Sequence, residues 1–383
     1  MTRRGLAACA ALTTSALCAL SLGNILYYYL SLLLALALLY AFVSCFWARR
    51  TAFCKQALSA ASVVRGEKAH LFLQAGHRCP LPVAPPRGEF LYDGQAGECV
   101  FPAAPFRTHE ARMPLNARHV GRYPAGLKCL RVQDIFGLFC MRLKAGDASA
   151  ALTVLPRPFD IDKPRFTLGD DGLAALARTQ EDYNAPEDVR AYRPGDAMKR
   201  IHWKLSSRRR ELVVRRFETP VPPDTLILLD CDSPLGGEDV NEGKECLRDA
   251  LCETAVAVAK LQMDDGSPVR LPMYGERANE FSSDSAENLA LLQEMLACQP
   301  FGNGEDFARV LNLELRRMRR TGATIIITTR LDAQIVEGIT HIRRMGPSAR
   351  LYLVTYTPDD PRYQPFVTRL QHHLVEVCYV TPA

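Results

Sequence analysis

The densest chemistry in the chain lies between Glu187 and Arg216. Nine of the eighteen residues from Lys199 to Arg216 are Lys, Arg or His, against the single acid Glu211. Trp203, one of only two tryptophans, stands among them. Cationic groups around an aromatic ring suit three tasks. They form structural ion pairs about a packed tryptophan, here Arg190 with Asp196. They dock a partner protein, since Arg and Trp are frequent interface anchors. Or they contact phosphates, and a juxtamembrane basic cluster gains about 1 kcal/mol per Lys or Arg at an anionic leaflet. Nothing matches a zinc finger or an aromatic ribonucleoprotein motif, so nucleic acid ranks last. Upstream, Arg193-Pro194-Gly195-Asp196 reads as a turn, with Pro fixing φ and Gly free to take positive φ. Asp196 is placed to cap the segment after it by accepting backbone N–H bonds.

A second constellation is the acid pair Asp230 and Asp232, directly after the apolar run Thr225–Leu229. Carboxylates at a strand end are the hard oxygen donors that Mg²⁺ takes; the competing reading is a turn with acidic caps. No phosphate loop ending in Gly-Lys-Ser/Thr occurs, no Gly-x-Ser-x-Gly elbow and no His-Glu-x-x-His. His372-His373 is adjacent rather than spaced by four, and Asp359-Asp360 sits in a loop between prolines. The expectation is a binding protein, not an enzyme, and no cofactor beyond the open case of Mg²⁺ at Asp230 and Asp232.

The elements that must position these residues begin at a membrane. From Gly5 to Ala48 there is no charged residue or His in 44 positions. As one helix that stretch would run about 66 Å, whereas a bilayer core needs about 20 apolar residues. Two crossings are predicted, Gly5–Leu22 and Ile25–Trp47, joined at the turn pair Gly23-Asn24. Arg3 and Arg4 precede them and Arg49 and Arg50 come after, so both ends and the soluble region are expected in the cytoplasm. A cleaved signal peptide would not be followed by a second, longer span. Thr2–Leu6 also resembles a twin-arginine export signal, and Leu6–Cys9 a lipoprotein cleavage box. The 13 Cys show no CxxC pair, which fits free thiols in a reducing compartment.

Beyond the hairpin, residues 58–160 carry short alternating runs between Pro and Gly, and a small β-sandwich or barrel is predicted. Its strands are expected at 111–118, 127–132, 138–143 and 152–155, with Tyr123-Pro124-Ala125-Gly126 as a turn. Residues 161–221 form a linker that holds the basic motif. From 222 to 383 the texture is α/β, with strands at 225–229, 269–273, 324–328, 351–355 and 375–380. Helices are predicted around Leu247–Leu261 and at 289–296, 307–318 and 335–345, giving a mainly parallel sheet covered on both faces.

The ordered pattern Val189-Arg190-x-Tyr192-x-Pro194-Gly195-Asp196-x-x-x-Arg200-Ile201-x-Trp203-Lys204-x-Ser206-x-Arg208 resembles the signature of the bacterial domain-of-unknown-function 58 family. Gly121-Arg122-Tyr123, Asp134-x-Phe136-Gly137-Leu138-Phe139 and Leu155-Pro156-Arg157-Pro158 extend the likeness over nearly the whole chain. The resemblance implies a multi-pass protein of the bacterial inner membrane and a C-terminal domain likened to von Willebrand factor A. It also implies a MoxR-type AAA+ ATPase partner and no established catalysis. The expected contact is Arg190, Tyr192, Asp196, Arg200, Trp203, Lys204 and Arg208, beside the bilayer as the other partner. A von Willebrand metal site reads Asp-x-Ser-x-Ser. Here Asp232 replaces the first Ser and Pro234 the second, and Thr328-Thr329-Arg330-Leu331-Asp332 stands where a Thr- or Ser-Asp pair is expected, so the site is degenerate. Two other readings stay open: an enzyme on an envelope precursor using Asp230 and Asp232, and a binder of anionic lipid or nucleic acid through the basic motif.

Overall fold

The computed structural model describes residues 2–144, 150–161, 188–193, 198, 201–216, 224–232, 242–274, 278–302, 306–318 and 321–382. The chain divides into two compact units, Met1–Leu155 and Pro156–Ala383.

In the first unit, helices α1 (Arg3–Leu22) and α2 (Ile25–Thr51) are long and apolar enough to cross a membrane. Gly23 ends α1 at φ 61°, the left-handed conformation that glycine adopts without strain. The Asn24 side chain then accepts the Leu26 N–H at 3.0 Å and starts α2. Leu32, Leu33, Leu36 and Leu39 are exposed along α2. The C-terminal part of α2 differs: Ala41, Ser44, Cys45 and Ala48 are fully buried along one face. Small residues at this three-to-four spacing let the helix lie close against protein.

Two sheets share the core that α2 joins. One is the antiparallel set β1 (Phe53–Leu58), β3 (Lys68–Gly76) and β6 (Thr108–Asn116), in the order β1-β3-β6. The other orders β2 (Ser62–Val64), β9 (Ala150–Leu155), β7 (Gly121–Gln133), β4 (Arg87–Tyr92) and β5 (Gln95–Val100), with β8 (Cys140–Lys144) also on β7. Leu71, Leu73, Leu115, Leu130, Val132, Leu152 and Val154 meet Ala48 of α2 in one cluster. The Tyr123–Gly126 segment, expected to turn, instead lies inside the 13-residue strand β7. There β7 changes partners, pairing with β9 through Gly121–Ala125 and with β4 and β8 farther on. Pro124 and Gly126 mark where the strand changes neighbours, not where it reverses.

The second unit is built on a six-stranded sheet in the order β14-β13-β12-β15-β16-β17. Its strands are β12 (Asp224–Leu229), β13 (Val269–Met273), β14 (Asn279–Ser283), β15 (Thr321–Thr328), β16 (Ser348–Val354) and β17 (Glu376–Val380). All neighbours are parallel except the antiparallel edge strand β14. Besides a short helix α3 (Trp203–Arg209), the unit carries α4 (Glu242–Asp264), α5 (Leu289–Cys298), α6 (Phe307–Leu315), α7 (Ala333–Arg344) and α8 (Gln364–His372). Leu226, Leu228, Ile326, Leu351 and Leu353 point one way, into Phe307, Leu311, Ile335, Ile339 and Leu370 of α6, α7 and α8. Helix α4 lies against β12, β13, β15 and β16, and Leu251, Ala255 and Val258 are buried along it. Glu314, fully buried in α6, accepts Arg270 Nη1 at 2.8 Å and Arg317 Nη1 at 2.9 Å.

Candidate functional site

The basic motif is a folded subassembly rather than an open linker. Strand β10 (Asp188–Ala191) pairs antiparallel with β11 (Val213–Arg216), setting Arg190 opposite Val214. The Tyr192 N–H extends the ladder to Leu212 O at 2.8 Å, and the His202 N–H bonds Val213 O at 2.8 Å. His202 caps α3, its Nδ1 accepting the Leu205 N–H at 3.2 Å. Ser206 faces inward and its Oγ accepts the Val213 N–H at 2.9 Å. Ile201, Val213 and Val214 are buried around it.

With Ser206 committed inward, most of the remaining α3 surface is left to solvent. Trp203 and Ser207, and Lys204 and Arg208, are pairs four apart, hence neighbours on the helix surface, and all four are exposed. Trp203 is 65% exposed, which corrects the reading of a core tryptophan; its ring lies outside because Ile201 and Ser206 take the inward positions. Met198 at 72% and Leu212 at 46% add apolar surface in the same segment. Tyr192 is half-buried. Asp196 and Arg200, the Pro194-Gly195 turn and the expected Arg190–Asp196 pair lie outside the described residues, as does the Arg190 side chain.

The acidic pair follows the C-terminal end of β12, beside the end of its parallel neighbour β15, the edge where open α/β sheets hold their ligands. The Asp230 N–H continues the ladder to Ile327 O at 2.9 Å. Its carboxylate is buried; Oδ2 accepts the Thr328 hydroxyl at 2.6 Å and Oδ1 accepts the Asp232 N–H at 3.1 Å. Arg330 reaches back over both acids, with Nη2 on Asp232 Oδ2 and Nε 3.5 Å from Asp230 Oδ2. The charge that a cation would supply to Asp230 and Asp232 is thus supplied from within the chain. Asp332 is spent differently, capping α7 by accepting the Ile335 N–H at 2.8 Å. Among the described residues, no three His, Cys, Asp or Glu side chains cluster as a metal site would require. Burial raises the Asp230 pKa above its ordinary value, against the Thr328 and Asp232 hydrogen bonds and Arg330, which lower it. The adjacent Cys231 thiol is pushed up to about 12, chiefly by burial, and is no nucleophile at neutral pH.

Thr328 and Arg330 complete this corner, yet neither stands out as a site residue in the sequence. Their one signal is position: the end of a β-branched strand, beside the strand that ends at Asp230.

No curated protein matches the chain. Among solved structures, the CARDB domain of a Pyrococcus furiosus protein, in complex with di-metal ions, is 8% identical. That match covers 27% of this chain and 90% of that one at a TM-score of 0.18. The sporulation control protein Spo0M from Bacillus subtilis is 9% identical over 37% of this chain and 58% of that one, with a TM-score of 0.16. Cwp6 from Clostridium difficile is 10% identical over 86% of this chain and 53% of that one, at 0.20. Scores this low carry no shared fold. The family description "Protein of unknown function DUF58" matches residues 188–355, from the first residue of β10 to just past β16. Both the aromatic-basic helix and the Asp230 corner fall inside that match, so the likeness to the DUF58 family rests on residues 188–355 of this chain.

Proposed function

We propose that this protein is a membrane-anchored adaptor that acts by binding, with its soluble region on the cytoplasmic side and a MoxR-type AAA+ ATPase as partner. The observation that carries the reading is the exposed surface of α3, where Trp203, Lys204 and Arg208 are all open to solvent while Ser206 is fixed inward. An aromatic anchor flanked by cations fits an acidic partner surface. Tyr192, Arg190, Asp196 and Arg200 belong to the same proposed contact.

The sheet order, with its single antiparallel edge and acidic corner, supports a von Willebrand A-like domain as the scaffold. Arg330 against Asp230 and Asp232 favours binding over metal-assisted catalysis, since the guanidinium already neutralises one acid. The arginines flanking the two helices support the cytoplasmic orientation.

Affinity purification from gently solubilised membranes tests this, with wild type compared with Trp203→Ala/Arg208→Ala. Co-purification of an AAA+ ATPase with wild type, lost in a variant whose thermal unfolding is unchanged, is the expected result. Equal recovery from both would remove α3 from the contact, and absence of any ATPase in every nucleotide state would end the adaptor reading. Steep loss of liposome binding with salt would favour a lipid-binding motif instead.

A further inference from the structure

The turn between β7 and β8 exposes apolar side chains next to the two apolar helices. Ile135 and Phe136 at its tip are 54% and 53% exposed. Behind them the turn is sewn to both helices. Thr2 donates its N–H to Leu138 O at 3.1 Å and its hydroxyl to Gly137 O at 2.7 Å. Phe136 packs edge-on to Tyr40 at 6.3 Å between ring centroids, and Phe139 to Phe42 at 5.6 Å.

The level of this contact is set by helix geometry. Arg4 lies about 27 Å along α1 from its end at Leu22, and α2 covers about the same distance from Ile25 to Val43. That length fills a hydrocarbon core of about 30 Å. The arginines that open α1 and the Tyr40–Ser44 turn of α2 therefore share one level, the membrane–water boundary. From Ser44 onward α2 stands on protein, which is why Ser44, Cys45 and Ala48 are buried. The Ile25–Trp47 crossing expected from the sequence is shorter by about one turn on this reading.

The backbone of the turn is also prepared for poor solvation. The buried Asp134 carboxylate accepts the Phe136 N–H at 2.9 Å and the Phe139 N–H at 2.6 Å. Its carbonyl takes the Gly137 N–H at 3.0 Å, while Thr2 uses the Gly137 and Leu138 carbonyls. Polar backbone groups must be satisfied internally wherever water is scarce.

We infer that Asp134–Phe139 is a third membrane-contact element, with Ile135 and Phe136 inserted at the headgroup–acyl boundary of the bilayer that α1 and α2 cross. The inference rests on the proposed membrane anchoring.

The test uses the full chain in phosphatidylcholine–phosphatidylglycerol vesicles, in a Trp47→Phe/Trp203→Phe background. Single tryptophans are placed by Phe136→Trp, by Ile135→Trp, or by Leu33→Trp as a reporter of the spanning helix. Lipid brominated near the headgroup end of its chains is expected to remove about half of the emission at position 136 or 135, consistent with insertion by about 5–10 Å. Lipid brominated near the methyl end is expected to remove less. Quenching of Leu33→Trp alone, with 135 and 136 quenched freely by aqueous acrylamide, overturns the inference and leaves the anchor standing. Loss of lipid quenching at all three positions overturns both. The Ile135→Trp variant carries the test if Phe136→Trp disturbs the packing on Tyr40.

Discussion

Asp230 accepts the Thr328 hydroxyl at 2.6 Å, a side-chain bond that ties the ends of β12 and β15 just beyond their last ladder contacts. Both residues are buried. Thr328→Val keeps the shape and removes the donor, leaving a buried carboxylate oxygen short of one hydrogen bond. A loss of about 1–3 kcal/mol in unfolding free energy is expected, read from denaturant midpoints of the full chain in detergent.

The same acid sets a pH dependence. Its folded pKa lies above the ordinary 3.8, chiefly through burial. Between the two values the folded state holds a proton that the unfolded state has released, so stability falls as pH rises through that window. Relative to Asp230→Asn, which cannot ionise, wild type should lose stability as pH rises from the ordinary carboxylate value through the raised one. A constant difference between the two proteins across that range would contradict the assignment.

Arg330 blocks the corner electrostatically. Removing it by Arg330→Ala leaves Asp230 and Asp232 without their internal countercharge, and an external divalent cation becomes the natural substitute. Calorimetric titration with Mg²⁺ should show binding to the variant and none to wild type. Equal binding to both would mean that the guanidinium does not occupy the cation's place.

The two faces of α3 should separate stability from partner capture. Ser206→Ala removes the acceptor of the Val213 N–H inside the subassembly and is expected to cost about 1–2 kcal/mol. Trp203→Ala, on the solvent face, should stay within about 0.5 kcal/mol of wild type. Thermal unfolding of both variants checks this, and the reverse order would return Trp203 to a structural role.

Much of the second unit is legible in periodicity, because its strands are buried on both faces and spell continuous apolar runs. The expected strand Val269–Met273 matches to the residue, and Thr225–Leu229 misses only Asp224. The helix expected over 307–318 ends earlier, at Leu315, with Arg316 as its C-cap. Strand β14 escapes because Asn279–Ser283 is a polar edge with few inward residues, and α8 because Gln364–His372 buries only Val367 and Leu370. Strands β1 to β5 are likewise hidden, since half-buried strands of mixed composition give a weak alternating signal. Of the candidate site, Asp230 and Asp232 are visible as a pair of acids after a strand. Arg330 as their countercharge is not, because its approach depends on the register of β12 against β15 across 98 residues of sequence.

Helix α2 runs without a break from the far side of the proposed membrane to Thr51, and its last turns are part of the sandwich core. No slack separates anchor from cargo. Inserting one residue between Val43 and Ser44 would turn everything beyond it by about 100° and lift it by about 1.5 Å. The face of Ala41, Ser44, Cys45 and Ala48 would fall out of phase, and Thr2 would lose its seat on Gly137 and Leu138. With the proposed anchoring, the sandwich is indexed to the bilayer in both height and azimuth, like a gear keyed to its shaft, and a rotation of the helix pair would be delivered to it undiminished.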